Sequence, residues 1–259
     1  MVIVNKKIIV LIPARMGSTR LKDKILLDIN GKTMIQRIYE NVKNKTNFDV
    51  YVAAGDQIIV DEVEKFGGKA IITDRDLLSG SDRIAQALER IEEKNNIKYD
   101  IVVNFQGDAV NTRPEIINDL VDLLLNTDAD ITTPCMLMKK ELHDESSSVK
   151  IATAFTEGKD TARALYFSRN RVPFDRDTEV LDIYHHIGIY VYKAQALKQF
   201  VKHPKGILET RECLEQLRAL ENGMTIWTKL VKNLKIIEAA PADIDLQDEL
   251  DECRKYIKD

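Results

Sequence analysis

Residues 8 to 24 read IIVLIPARMGSTRLKDK, and no other stretch limits so sharply what this chain can fold into. From Ile8 to Pro13 the run is apolar and rich in β-branched side chains, which fits a strand buried on both faces rather than an alternating, half-wetted one. The segment it empties into carries Arg15, Gly17, Ser18, Thr19, Arg20, Lys22 and Lys24. At the carboxyl end of a strand in an α/β protein, backbone N–H groups and side-chain cations converge on phosphate. A nucleoside triphosphate is the expected ligand; a solvated basic loop is the other reading of the same residues.

Two familiar phosphate loops are excluded, because the stretch holds neither GxxxxGK[ST] nor GxGxxG. It reads instead AR-x-GSTR-L-x-x-K, in which Arg offers forked hydrogen bonds and Lys a point charge to a polyphosphate. The string IPARMGSTRLKDK resembles the signature loop of the sugar-activating cytidylyltransferases, in particular the 3-deoxy-manno-octulosonate cytidylyltransferase (CMP-Kdo synthetase) family, whose pattern is close to IPARxxSTRLPGKPL. Lys22 and Asp23 stand where that pattern has Pro-Gly, and Ile25 where it has proline. The resemblance implies that Ala14, Arg15, Ser18, Arg20 and Lys24 contact the nucleotide, with Arg15 and Lys24 taking part in catalysis.

The chain then alternates in a regular way. Asp28-Ile29-Asn30-Gly31 is a turn, and Thr33 caps a helix with Ile35, Ile38 and Val42 on its buried face. A strand over 50–54 follows, then a helix from about Ile58 to Phe66 stopped by Gly67-Gly68, and short strands over 70–72 and 101–104. A further helix starts at Arg113-Pro114-Glu115, and 130–135 reads as a fifth strand. Strands separated by helices in this way form a largely parallel sheet covered on both faces, with ligands beyond the carboxyl ends.

Two loops at those ends are informative. Leu78-Ser79-Gly80-Ser81-Asp82-Arg83 opens a helix through Ala85, Leu88 and Ile91; Ser79 or Ser81 reads on its own as an N-cap. The string also resembles the family's SGTER, which implies that Ser79, Gly80, Ser81 and Arg83 line the nucleotide pocket. Phe105-Gln106-Gly107-Asp108 follows the fourth strand, where a carboxylate can hold Mg²⁺ or simply shape a turn. It resembles NxQGDEP, with Ala109-Val110 replacing Glu-Pro; this implies that Asp108 is a metal ligand and catalytic residue, and that Gln106 meets nucleotide and sugar.

Beyond the polar segment from Lys139 to Ser148, a connection or a lid-like insertion, the second half has its own motifs. ALYFSRNRVP from Ala164 resembles ALYFSRxxIP, implying that Arg169 faces an acidic sugar, whose carboxylate suits a guanidinium fork. Tyr184 to Tyr192 alternates like a strand and resembles RHxGIYxYR, with His186 in the histidine position and His185 replacing a basic residue. Two adjacent histidines without a third spaced ligand make a poor zinc site, so His186 is read as a sugar contact. Leu208 to Leu220 is patterned as one helix containing LEQLR, which implies that Glu215 and Gln216 bond sugar hydroxyls. Ile244 to Leu250 resembles VDTPEDL and precedes a C-terminal helix; Asp245 would be the second metal carboxylate, with Asp243 close enough to compete.

The resemblance spans nearly the whole chain of 259 residues. It implies a Rossmann-like α/β nucleotide-diphospho-sugar transferase fold, with a mostly parallel central sheet flanked by helices and a smaller sugar-binding and dimerisation subregion. The expected organisation is a single domain over 1–259: a nucleotide-binding half to about 135, a sugar-binding half over about 150–230, and a metal-ligand segment with the C-terminal helix over about 235–259. The implied reaction joins CTP and an acidic octulosonate with Mg²⁺ as cofactor, in a homodimer, giving CMP-Kdo for lipopolysaccharide or capsule. The same chemistry on 8-amino-Kdo or another acidic sugar, and a catalytically lapsed CTP-binding homologue, are the alternatives. A net charge of −4 supplies no basic field for nucleic acid, so anions must be met locally. No signal segment opens the chain, no apolar run suits a membrane span, and Cys135, Cys213 and Cys253 lack metal or CxxC spacing, so cytoplasmic residence with reduced cysteines is expected.

Overall fold

The computed structural model describes residues 6–18, 20–174, 176, 182–241 and 243–258; Thr19 and Ala242 lie outside the described residues. The chain forms two compact units, one running from residue 117 to residue 233 and the other comprising the described residues up to 116 together with those after 233.

The unit that contains the N-terminal motif is built on β1 (Ile8–Ala14), followed by the two-residue strands β2 (Asp28–Ile29) and β3 (Lys32–Thr33), α1 (Met34–Lys45), β4 (Asp49–Ala54), α2 (Gln57–Lys65), β5 (Ala70–Ile72), α3 (Gly80–Asn95) and β6 (Ile101–Asn104). β1 pairs in parallel with β4 on one side and β6 on the other, and β4 pairs in parallel with β5. A central parallel strand loses both faces to helices, which is why β1 is continuously apolar and buried at six of its seven positions. The chain steps outward from β1 to β4 and β5, then returns to the far side of β1 as β6. The order reverses between β1 and β6, and crevices that take ligands form at such reversals.

Local chemistry fixes the elements around that crevice. Asn30 and Gly31 both have positive φ, 50° and 85°, the requirement of a tight two-residue hairpin between β2 and β3. The Thr33 hydroxyl accepts from the Gln36 amide at 3.4 Å and starts α1. Ser79 does the same for α3, accepting from the Asp82 amide at 3.1 Å.

The other unit is mixed, with α4 (Ile116–Asn126), β7 (Ile131–Leu137), β8 (Lys150–Thr153), β9 (Thr161–Ser168), β10 (Tyr184–His186), β11 (Tyr190–Lys193), α5 (Ala194–Phe200), α6 (Ile207–Glu212), α7 (Gln216–Glu221) and β12 (Ile226–Val231). Its pairings close a circuit: β7 with β12, β12 with β9, β9 with β8, β8 with β10, and β10 with β7. Only β7 with β12 is parallel, and β11 adds an antiparallel partner for β7. The expected fifth strand is β7, and it belongs to this unit. The chain finally returns to the first unit through α8 (Gln247–Tyr256).

Two expected elements are each two. The strand over 184–192 breaks into β10 and β11 at Ile187-Gly188-Ile189, where the Thr133 hydroxyl lies 3.1 Å from the Ile187 carbonyl and 2.8 Å from that of Ile189. The helix over 208–220 is α6 and α7, separated at Cys213, whose φ of 53° is left-handed and ends α6. Its side-chain periodicity survives the break, so pattern alone reads straight through it. Among the described residues no helix is long and apolar enough to cross a membrane.

Candidate active site

Beyond the carboxyl ends of β1 and β6 lies a cavity of about 430 Å³. The end of β1 and the segment after it supply Ala14, Arg15, Ser18, Arg20 and Lys24; the entry to α3 supplies Ser79, Gly80 and Arg83; the loop after β6 supplies Gln106 and Asp108; and Asp245 arrives from the far end of the chain. These are residues that the sequence motifs single out, from four separate segments. Ser81 differs: it is fully buried in the first turn of α3 and is absent from the cavity lining, while Ser79 takes the cap. Gly107 explains how the β6 loop reaches this wall, since a Cβ there would stand 2.5 Å from the Pro13 carbonyl oxygen. Any side chain would push Asp108 away from the end of β1.

One ammonium joins the two expected metal carboxylates. Lys24 Nζ donates to Asp108 Oδ2 and to Asp245 Oδ1, each at 2.9 Å, and Arg20 Nη1 pairs with the other oxygen of Asp245 at 3.0 Å. Burial pulls the Lys24 pKa down, but the two carboxylates outweigh it and hold the ammonium above its usual value. Asp243 is exposed as a residue, yet its carboxyl is crowded into the same cluster. Desolvation first, then the charges of Asp108, Asp245 and Glu249, push it up to about 6. Asp245 rather than Asp243 lines the cavity, and its backbone N–H donates to Glu249 Oε2 at 2.6 Å.

This donor set is oxygen only and acidic, and it suits a hard divalent cation that keeps places for phosphate and water oxygens. Among the described residues no group of three or more His, Cys, Asp or Glu side chains is placed to hold a metal ion. Asp108 and Asp245 could hold such an ion together with a ligand's phosphates.

Arg83 lines the cavity from behind. It is 2% exposed, and its guanidinium donates to the Thr73 hydroxyl at 2.6 Å and to the carbonyls of Asp74 and Arg75 at 3.1 and 3.2 Å. Gly55 leaves room for this placement: a Cβ there would lie 2.5 Å from Arg83 Nη1, so the guanidinium would have to shift. Asp56 was not singled out by any motif, yet it accepts the Met16 amide at 2.8 Å and faces Arg75 at 3.4 Å, tying the segment after β1 to the end of β4. A lone aspartate after a strand carries no sequence signal for that work.

The residues read as sugar contacts belong to the other unit, apart from Gln106. Arg169 donates from Nε to the Glu212 carbonyl at 2.8 Å, and from Nη1 to the Ser146 carbonyl at 3.0 Å. Glu212, missed in the sequence, accepts from the Ser168 hydroxyl at 2.8 Å and the Arg169 amide at 2.9 Å, so it fixes the backbone that carries Arg169. Lys150 is fully buried, with Nζ donating to the carbonyls of Glu145 and Arg169 at 2.5 and 2.9 Å. His186 is 6% exposed, its Nε2 is 2.9 Å from the Thr133 hydroxyl, and Phe167 meets it edge-on. Burial, then the neighbouring His185, push its pKa down to about 3, so the ring is neutral. Glu215 immediately precedes α7, Gln216 is buried in its first turn, and Glu215 acts electrostatically on Tyr190, whose ring is 5.4 Å from that of His186. Glu209 and Arg218 form a buried forked ion pair at 2.8 and 2.6 Å that closes the break between α6 and α7.

A parallel sheet whose order-reversal cavity sets cations beside acidic oxygens defines a Rossmann-like nucleotidyltransferase. The fold is shared with solved nucleotidyltransferases of low identity, among them a putative glucose-1-phosphate thymidylyltransferase from Bacillus anthracis (TM-score 0.61, 15% identical, 96% of this chain and 94% of that one). The chain belongs to the cytidylyltransferase family, whose model matches residues 9–226. It is 41% identical over 96% of its length to a 3-deoxy-manno-octulosonate cytidylyltransferase of Rhodospirillum rubrum, covering 95% of that protein. It is 36% identical over 98% of its length to the protein of that name from Rickettsia typhi, covering 99% of it. A solved CMP:2-keto-3-deoxy-manno-octonic acid synthetase complexed with CTP superposes with a TM-score of 0.84 at 34% identity, over 96% of this chain and 97% of that one.

Proposed function

We propose that this chain transfers a cytidylyl group from CTP to the anomeric hydroxyl of 3-deoxy-manno-octulosonate, releasing pyrophosphate and forming CMP-Kdo. The observation that carries the proposal is the convergence of Arg15, Arg20 and Lys24 with Asp108 and Asp245 in one cavity, in a chain whose relatives over nearly full length bear that name.

In the reaction the sugar oxygen attacks the α-phosphorus, the bond from that phosphorus to the β-phosphate bridging oxygen breaks, and the hydroxyl proton is lost to solvent. The demand on the protein is to neutralise charge on the attacked phosphate and the leaving pyrophosphate and to hold the nucleophile in line. Arg15 and Lys24 bind and neutralise the triphosphate, with Arg20 beside them. Asp108 and Asp245 would hold Mg²⁺ in place of their bonds to the Lys24 ammonium, and the ion would supply Lewis-acid polarisation of the phosphate. Arg83 keeps the 73–75 segment and the α3 entry in register. Gln106, Arg169, His186, Glu215 and Gln216 are assigned to the acidic sugar, and no side-chain nucleophile is used. A homodimer working in the cytoplasm, feeding lipopolysaccharide or capsule assembly, completes the proposal.

The test is pyrophosphate release with CTP and Mg²⁺, comparing Kdo, 8-amino-Kdo and N-acetylneuraminate as acceptors. Release with Kdo is expected. Release with 8-amino-Kdo alone would change the acceptor, and CTP binding without release from any of the three would overturn the enzymatic reading.

A further inference from the structure

Leu78 is 90% exposed, more than any other large apolar side chain among the described residues, and it lines the nucleotide cavity. Its exposure does not come from a loose loop. At one end of the segment, Asp74 takes the Gln86 side chain in both directions: its amide donates to Gln86 Oε1 at 2.7 Å and its carboxylate accepts from Gln86 Nε2 at 2.7 Å. Arg90 adds a bond to the same carboxylate at 2.6 Å, and Arg83 holds the carbonyls of residues 74 and 75. At the other end Ser79 is pinned as the cap of α3. A leucine is thus displayed to water on a braced segment at the mouth of a cavity.

The cavity is lined by two chemically distinct sets of residues. Arg20, Lys24, Asp108 and Asp245 make one, which is charged throughout and suits phosphate. The other is apolar, comprising Pro13, Ile25, Leu77 and Leu78, with Gly80 beside the Pro13 ring, where a Cβ would make ordinary van der Waals contact at 3.7 Å from its Cγ. A nucleoside triphosphate has the same polarity, with a charged tail and a flat base whose faces prefer an apolar surface.

We propose that Leu78 is a nucleotide-binding residue that covers the face of the base, closing an apolar slot floored by Pro13 and Gly80. The inference rests on the reading of the cavity as a CTP site and names the part of the ligand that these apolar residues recognise. The exposed leucine is stabilised when the base removes it from water, so its contribution falls on nucleoside-bearing ligands and is absent from bare polyphosphate.

The experiment compares the Kd values of CTP and inorganic tripolyphosphate, measured calorimetrically without Mg²⁺, for the unaltered protein, Leu78→Ser and Leu78→Phe. Covering about half of a leucine predicts that Leu78→Ser weakens CTP about fivefold, while tripolyphosphate affinity and thermal stability stay as they were. Leu78→Phe should restore or exceed the CTP affinity by stacking. Equal CTP affinity in the unaltered protein and Leu78→Ser would overturn the role of Leu78 and leave the CTP site standing. A parallel loss for tripolyphosphate would also overturn it, since the effect would then fall on the charged residues. An unaltered protein that binds tripolyphosphate but no more tightly CTP would overturn both the base slot and the CTP reading beneath it.

Discussion

Lys24 and Asp245 stand 221 positions apart in the chain and meet at 2.9 Å, with Asp108 at the same distance on the other side of the ammonium. The protein closes its charge cluster with its own cation. Replacing Asp108 by Asn keeps the shape and removes one charge, so Asp108→Asn should fold normally and lose turnover by about a hundredfold or more, the scale on which charge stabilisation in a transition state is felt. The check is pyrophosphate release alongside a melting curve; a folded variant with normal turnover removes Asp108 from the mechanism.

Gly107 gives a steric prediction. With a Cβ 2.5 Å from the backbone oxygen of Pro13, Gly107→Ala forces the β6 loop off the end of β1. Overpacking of this kind costs about 1–3 kcal/mol, and the displaced loop carries Asp108 with it. Gly107→Ala should therefore lower the melting temperature and turnover together. Unchanged turnover would show that the loop relaxes without moving its carboxylate.

The first unit is legible in sequence because its determinants are local or one-dimensional: an unbroken apolar run for β1, hydroxyl caps at Thr33 and Ser79, and an Asn-Gly turn. The cavity is legible for the same reason, since strand-end loops carry short strings of residues that act together. The second unit is less so. Its closed circuit depends on pairings such as Trp227 with Arg163 and His186 with Cys135, which no local pattern encodes. The left-handed Cys213 splits a helix whose periodicity continues across the split, and Glu212, Lys150 and Asp56 act through backbone groups that leave no trace in side-chain spacing.

The Glu209–Arg218 pair tests that hidden architecture. Both side chains are almost fully buried, and Arg218 also lies 4.8 Å above the Phe200 ring. Removing one partner leaves a buried charge without compensation, at a cost of about 3–5 kcal/mol. Glu209→Gln should destabilise on that scale in urea unfolding, whereas replacing both residues by apolar ones of similar volume should recover much of the loss. A Glu209→Gln variant as stable as the parent would mean that the backbone turn at Cys213, not the ion pair, holds α6 against α7.

His186 makes stability depend on pH in a calculable direction. Its ring is neutral in the folded protein down to about pH 3, whereas the same ring in the unfolded chain takes up a proton near its ordinary value of 6.5. Between those limits the unfolded state binds more protons, so stability falls as pH is lowered through the window, by about 1.4 kcal/mol per unit. His185 is also depressed, by burial first and then by Lys150, and acts in the same direction. Replacing His186 by Phe keeps the edge-on contact with Phe167 in an apolar form and removes the titration. The variant should be less stable than the parent at pH 7.5, because Thr133 loses its ring partner, yet the gap should close by about 2 kcal/mol at pH 5. Urea unfolding at both pH values measures this difference. A gap that stays constant with pH would mean that the folded protein protonates His186 as readily as the unfolded chain does.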